Sequence, residues 1–148
     1  MDGRVLGAMR SIGLDLGTKT IGIAVSDELG LTAQGRPTLA RRGSKKDLEA
    51  LQSLATELGA ERFVLGLPIN MNGTEGPRAE ATRAFGAVLA RATGLPVVYQ
   101  DERLTTAEAN RTLLEADVSR KRRRELVDQL AASLILQGWL DAQPRSAL

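Results

Sequence analysis

Two short apolar runs near the start of the chain, residues 12–16 and 21–25, flank one carboxylate and a polar bend. Both runs are rich in aliphatic residues and bounded by turn residues, so they predict a hairpin of two buried strands joined at residues 17–19. Asp15 interrupts the first run, and an ionised carboxylate among apolar side chains is costly unless a cation, hydrogen-bond donors or water meets it. The pattern therefore predicts a partner for Asp15, with a turn-capping role as the alternative.

Further along the chain, short apolar runs alternate with segments of helical periodicity. A weaker run at residues 31–39 predicts an edge strand that completes a three-stranded antiparallel meander. Compact runs at residues 63–67 and from residue 95 each follow a helical segment, which is typical of strands added in parallel. Helices are predicted after Ser44 up to residue 58, at residues 79–92 and 125–143, and from residue 105. The alternation predicts an α/β fold with a mixed five-stranded sheet flanked by helices.

Helix ends and buried faces can also be read from the pattern. Ser44, followed by Asp47 three residues later, predicts the N-cap of the first helix, and Gly59 and Gly94 predict the ends of the first two helices. For the second helix, helical spacing predicts a buried stripe of Ala81, Ala84, Phe85, Val88, Leu89 and Ala92. For the last helix, it predicts a stripe of Val127, Leu130, Ala131, Leu134, Ile135 and Gly138.

The composition restricts the chemistry more than the fold. The 148 residues, 43% of them hydrophobic, suit one domain over residues 1–148, with residues 1–9 and 144–148 expected to be flexible ends. The sequence has no apolar run of membrane-spanning length and no export-signal pattern at residues 1–10, which favours a cytoplasmic location without a membrane partner. The chain has no Cys and no His, which excludes thiol nucleophiles, imidazole bases and the usual zinc ligands. The remaining oxygen ligands suit Mg²⁺ or Mn²⁺.

Three acidic residues lie where the predicted fold would bring them together: Asp15 on the first strand, Glu102 after the last strand, and Asp128 on the last helix. Each has a structural alternative, because Glu102 adjoins a local ion pair at a strand end and Asp128 suits a first helical turn. Three convergent carboxylates without histidine are typical of phosphodiester hydrolysis by two divalent cations.

The cations predict an anionic partner. The net charge is only +2, but residues 120–124 are five successive cations, which predicts a mobile run that binds a phosphate backbone; a solvated basic loop or helix start is the alternative. Aromatic residues make up 3% of the chain, too few to stack successive bases. The predicted nucleic-acid-binding residues are Lys19, Asn72, Arg103, Arg120, Lys121, Arg122, Arg123 and Arg124. Four more cations surround Ser44, namely Arg41, Arg42, Lys45 and Lys46. Two interpretations of these four stay open, a solvated loop and a phosphate contact.

Over about residues 10–141 the chain resembles the YqgF, or RuvX, family of RNase H-like proteins. Four ordered motifs carry the resemblance: GLDLG at 13–17 with IGIAVSD at 21–27, GLP at 66–68 with MNGTEG at 71–76, DERLTT at 101–106, and Asp128 followed by AA at 131–132 and ILQ at 135–137. Two positions depart from the family pattern, since Thr20 replaces a common arginine and Gln100 stands where an aromatic residue often precedes the acidic motif.

The resemblance implies an RNase H-like fold and a divalent-metal-dependent nuclease, with Asp15, Glu102 and Asp128 as metal ligands and catalytic triad. It also implies action on structured RNA or branched DNA, such as pre-16S ribosomal RNA or a Holliday junction, and a symmetric junction would favour a homodimer. Two alternatives stay open. One is a non-catalytic nucleic-acid-binding adaptor. The other is an actin-like ATPase fragment, because residues 15–18 also resemble the phosphate loop of those proteins, although the chain leaves no room for a second lobe.

Overall fold

The computed structural model describes residues 10–103 and 120–144; the expected flexible ends and the helix predicted from residue 105 fall almost wholly outside this part. At six positions of the last helix only the backbone is described: Arg120, Lys121, Arg123, Arg124, Glu125 and Asp128. The strands are β1 (Ser11–Leu16), β2 (Thr20–Ser26), β3 (Ala33–Ala40), β4 (Arg62–Leu67) and β5 (Val97–Asp101). The helices are α1 (Ser44–Leu58), α2 (Pro77–Thr93) and α3 (Arg120–Ala142).

The five strands form one mixed sheet in the order β3-β2-β1-β4-β5. The first three strands pair antiparallel, and β4 and β5 extend the sheet from β1 in parallel, which confirms the predicted topology. Strand β3 begins at Ala33 rather than at residue 31, because the Asp27 carboxylate accepts the N–H groups of Leu31 and Thr32 and holds both in a turn. Strands β1, β4 and β5 end at the same side of the sheet, which we call the carboxyl edge.

Helices α1 and α2 cover one face of the sheet over an aliphatic core. Both helices end as predicted, at Gly59 and Gly94 in left-handed conformation. The predicted Ser44 cap is wrong: Ser44 is the first helical residue and makes no capping hydrogen bond. Instead, the buried Asp47 carboxylate accepts the backbone N–H of Arg42 at 2.9 Å.

The predicted buried stripes of α2 and α3 are partly wrong. Helix α2 buries Ala79, Thr82, Gly86 and Leu89, and it exposes Ala81, Ala84, Val88 and Ala92. Helix α3 begins at Arg120, five residues before the prediction, and buries Ala131, Ala132, Ile135, Leu136 and Leu140. Helix α2 carries alanine on both its buried and its exposed faces, and α3 contains an almost unbroken apolar run at residues 130–136, so the sequence gives a weak rotational signal for both helices. Among the described residues, no helix is long and apolar enough to cross a membrane.

Helix α3 lies close against the other face of the sheet and runs antiparallel to β1. Its direction follows from two contacts with β3: Gly35 meets Gln129, whereas the N–H of Ala33, nearer the start of that strand, donates to Gln137 at 2.9 Å. Strand β1 has a glycine beneath the helix, since a Cβ atom on Gly13 would lie 2.7 Å from Cβ of Leu136. The absence of side chains at Gly13 and Gly35 therefore allows the close packing.

Replacing Gly13 with alanine is expected to destabilise the fold by about 1–3 kcal/mol, because the added methyl group overpacks the contact between α3 and β1. Urea denaturation of the purified variant measures the loss. Gly76→Ala is the matched control: its Cβ would meet no atom closer than 3.5 Å, and we expect a loss below about 1 kcal/mol. Wild-type stability in Gly13→Ala would show that the helix does not press on the strand.

Candidate active site

Asp15 and Glu102 meet at the carboxyl edge, although their strands are not neighbours. Asp15 lies on β1, and Glu102 directly follows β5, where its backbone N–H donates to the Leu67 carbonyl of β4 at 3.2 Å. Strand β4 separates β1 from β5, so the Glu102 side chain must cross β4 to reach Asp15. Gly66 leaves room for this crossing: a Cβ atom there would lie 2.6 Å from Oε2 of Glu102 and would also collide with Ile135 of α3.

The two carboxyl groups share a hydrogen bond and repel each other when both are ionised. Burial and the charge of Asp15 together raise the pKa of Glu102 to about 7, and burial is the larger cause. Near neutral pH, protonated Glu102 can donate its hydrogen bond to the Asp15 carboxylate. A pair of carboxylates that is costly to ionise becomes favourable when a cation lies between them, so the pair has the electrostatics of a cation site.

Arg78 is a cation near this pair that the sequence patterns did not indicate. Its positive charge lowers the pKa of Glu102, in opposition to burial and to Asp15. It is the second residue of α2, next to Pro77, and is exposed. The only sequence signal for a site at this position was the glycine-rich loop that leads into a helix start. That signal predicts a phosphate-binding backbone and does not identify Arg78.

Arg41 holds the hairpin that follows Asp15. Its Nη1 donates to the Gly17 carbonyl at 3.0 Å, and its backbone N–H donates to the Lys19 carbonyl at 2.9 Å. Its Nε donates to the buried Asp47 carboxylate at 3.2 Å, and its guanidinium lies 5.6 Å from the centroid of the Phe85 ring. Because its charge is paired with Asp47, Arg41 acts as a structural residue. For this one of the four cations around Ser44, the structure therefore shows a role in the fold.

The structure places three of the predicted nucleic-acid-binding residues near the carboxyl edge. Lys19 is exposed on the β1–β2 hairpin. Arg103 is exposed too, but its Nη2 lies 2.7 Å from Oδ2 of Asp101, and its hydrogen bonds hold the pKa of that carboxyl below its usual value. Asn72 organises its own loop, because its Oδ1 accepts hydrogen bonds from the N–H and Oγ1 of Thr74.

The other predicted site residues lie on the first turns of α3. Residues 120–124 are helical, as the helix-start alternative predicted; of their side chains only Arg122 is described, and it is exposed. The backbone of Asp128 belongs to the same helix, and its side chain lies outside the described residues. Within the described part of the chain, no group of three potential ligands gathers as a metal cluster.

Comparison with known proteins gives a consistent set of matches. Residues 9–142 match the family model described as RuvX, Holliday junction resolvase. A relative from Myxococcus xanthus, named "Putative pre-16S rRNA nuclease", is 63% identical over 90% of this chain and 89% of its own length. A relative with the same name from Moorella thermoacetica is 59% identical over 90% of this chain and 95% of its own.

Two solved structures share the fold at low sequence identity. RuvC from Thermus thermophilus, in complex with a Holliday junction substrate, aligns with a TM-score of 0.55 and 15% identity, over 90% of this chain and 97% of RuvC. The fowlpox virus Holliday junction resolvase aligns with a TM-score of 0.53 and 14% identity, over 91% of this chain and all of that one. These alignments confirm the RNase H-like fold.

Proposed function

We propose that this chain, which belongs to the RuvX Holliday junction resolvase family, is a divalent-metal-dependent nuclease that hydrolyses phosphodiester bonds in structured nucleic acid. The observation that carries the proposal is the Asp15 and Glu102 pair, brought together across Gly66 at the carboxyl edge. Ionising both carboxyl groups costs the metal-free fold stability, and such sites are typical of catalytic centres.

The donor set fits Mg²⁺ or Mn²⁺. Both ions prefer oxygen ligands, and the chain contains no His or Cys that would favour a softer metal. Asp15 and Glu102 would hold the metal, and we propose that the site binds two ions. When bound, such ions prepare a water molecule for attack and stabilise the leaving oxygen.

Asp128 is the third ligand we propose, on the strength of its helical position. Ala132 lies over Gly13 of β1, since a Cβ atom on Gly13 would be 3.2 Å from the Ala132 carbonyl oxygen. Position 128 lies one helical turn before Ala132, about 6 Å along the axis, and α3 runs antiparallel to β1. Asp15 lies two residues after Gly13, about 6.6 Å along the strand in the same direction. Positions 15 and 128 are thus displaced from this contact by similar distances.

The cations at the same end of the molecule suit a polyanionic substrate. Lys19 and Arg78 are exposed near the carboxylate pair, and both would contact phosphate oxygens. Because Ala132 lies over Gly13 and α3 runs antiparallel to β1, we infer that its first turns extend past the carboxyl edge and bring residues 120–124 to the same side as the pair. We propose that Arg120, Lys121, Arg122, Arg123 and Arg124 bind the backbone of the strand to be cut, with Asn72 and Arg103 beside them.

For the physiological substrate we propose the small-subunit ribosomal RNA precursor, in keeping with the names of the relatives, with branched DNA as a second substrate. This role implies a cytoplasmic location and one nuclease domain. If a four-way junction is cut, a two-fold homodimer would provide paired sites.

The test is a cleavage assay with Mn²⁺, with Mg²⁺ and with EDTA. The panel contains single strands, flaps, four-way junctions and ribosomal precursor RNA, and the assay reads product size and cut position. We expect cleavage of at least one substrate, and none in EDTA. Binding that is independent of metal, with no cleavage across the panel, would instead identify a non-catalytic adaptor.

A further inference from the structure

We propose that Met71 is an apolar wedge that enters between stacked bases at a branch or duplex end of the bound nucleic acid. This role rests on the proposed nuclease function and defines how the same site selects structured substrates. Met71 is 70% exposed at the tip of the loop between β4 and α2. Among the described residues, three other large apolar side chains are exposed. Leu29 and Leu31 lie between β2 and β3 at the opposite edge, and Val88 lies on α2, where it lines a cavity shared with Leu16 and Arg78.

The loop that presents Met71 is held rigidly by its own hydrogen bonds. The Asn70 N–H donates to the Thr74 carbonyl at 2.8 Å, and the Gly73 N–H donates back to the Asn70 carbonyl at 2.8 Å. The side chains of Asn70 and Asn72 both bond to Thr74, and Ile69 pairs with Glu75 in an antiparallel bridge. An exposed methionine on an ordered loop loses little backbone entropy when it contacts a ligand.

The base of the loop is also fixed to the rest of the fold. Glu75 accepts two hydrogen bonds from Arg83 of α2, at 2.8 and 2.9 Å. The Arg83 guanidinium lies 4.9 Å from the centroid of the Tyr99 ring on β5. These contacts connect the loop to α2 and to the sheet, so the loop can keep its position when Met71 enters between bases.

Met71 lies within a few nucleotides of the proposed cleavage site. The loop leaves β4 at Leu67, whose carbonyl accepts the backbone N–H of Glu102. Four residues span at most about 14 Å, so Met71 lies within that distance of Leu67. Stacked bases repeat about every 3.4 Å along a strand, which puts the wedge within about four base steps of Leu67, on the edge that carries the carboxylate pair.

The chemistry of the side chain suits this role. Aliphatic side chains inserted between base steps unstack them and bend the duplex, and methionine is among the residues used. Its thioether is flexible and makes favourable contacts with aromatic rings. Exposed among polar neighbours, Met71 has its apolar surface in water in the free protein, and insertion between bases would remove that surface from water.

The experiment measures base unstacking separately from cleavage. A branched duplex carries 2-aminopurine next to the branch, and its fluorescence rise on protein binding is recorded in EDTA for wild type, Met71→Ala, Met71→Leu and Leu29→Ala. Leu29 is the matched control, because it is 63% exposed in the β2–β3 turn at the opposite edge of the sheet. Cleavage of the branched duplex and of a single strand with the same cut sequence is then measured with Mn²⁺.

We expect Met71→Ala to lose most of the fluorescence rise and about tenfold in cleavage of the branched duplex, with less than a twofold loss on the single strand. Met71→Leu and Leu29→Ala should behave as wild type. A full fluorescence rise with Met71→Ala would overturn the proposal, as would equal losses on the two substrates. If wild type unstacks the branch but cuts nothing, the nuclease function fails and the wedge stands.

Discussion

Asp15→Asn is expected to abolish metal-dependent cleavage while leaving nucleic-acid binding intact. An amide cannot replace a carboxylate as a charged metal ligand, and loss of about 4 kcal/mol of transition-state stabilisation corresponds to a rate reduction of about a thousandfold. Binding should be retained, because the substitution removes a negative charge beside the proposed phosphate path. Single-turnover cleavage with Mn²⁺ measures the rate, and fluorescence anisotropy measures binding.

Asp141→Asn is the matched control for this substitution. Asp141 is exposed near the end of α3, away from the carboxyl edge, and accepts a hydrogen bond from Gln137 at 2.9 Å. We expect it to cut at the wild-type rate. Retention by Asp15→Asn of more than a tenth of wild-type activity would contradict the proposed site, and equal rates for the two proteins would point to a contaminating nuclease.

The strands and their order followed from the sequence because each strand has a strong local signal. The hairpin of β1 and β2 has two aliphatic runs around a glycine-containing bend, and β4 and β5 are compact apolar runs that follow helices. Their parallel addition to β1 is then nearly dictated by the handedness of crossover connections. The meeting of Asp15 and Glu102 at one edge follows from that topology.

The helix faces did not follow from the sequence, and the site shows why this matters. The observed buried positions Ala132 and Leu136 extend back along the helix by one turn to position 128, whereas the predicted stripe placed Asp128 only at its border. The almost unbroken apolar run at residues 130–136 of α3 made the two rotations almost indistinguishable from sequence. Only the packing against Gly13 distinguishes them.

Contacts between distant segments were also out of reach. Arg41 belongs to a cluster of cations for which the sequence left a solvated loop and a phosphate contact equally open. Its partner Asp47 was predicted to take part in capping the first helix. The carbonyl of Gly17, which Arg41 also holds, lies 24 residues away. Likewise, Gly66 shows its function only when Glu102 is seen to cross above it.

Glu102→Gln is expected to stabilise the metal-free protein above pH 7 and to abolish its cleavage activity. The folded-state pKa of Glu102 is raised from an ordinary 4.5 to about 7, so between these values the folded protein binds the extra proton and the free energy of unfolding falls as pH rises. The shift would be worth roughly 3 kcal/mol for a fully buried group, and because Glu102 keeps solvent contact we expect about 1–2 kcal/mol. Glutamine avoids this cost, since its amide donates to Asp15 without ionising.

The measurement is urea denaturation at pH 5 and pH 8, in EDTA and in Mn²⁺. In EDTA the advantage of Glu102→Gln should be small at pH 5 and reach its full size at pH 8, while Mn²⁺ should stabilise wild type and leave the variant almost unchanged. Glu80→Gln, at an exposed position in the first turn of α2, controls for the loss of a carboxylate elsewhere. A variant less stable than wild type at pH 8 in EDTA would mean that the carboxyl pair stabilises the fold, and the electrostatic argument for a cation site would fail.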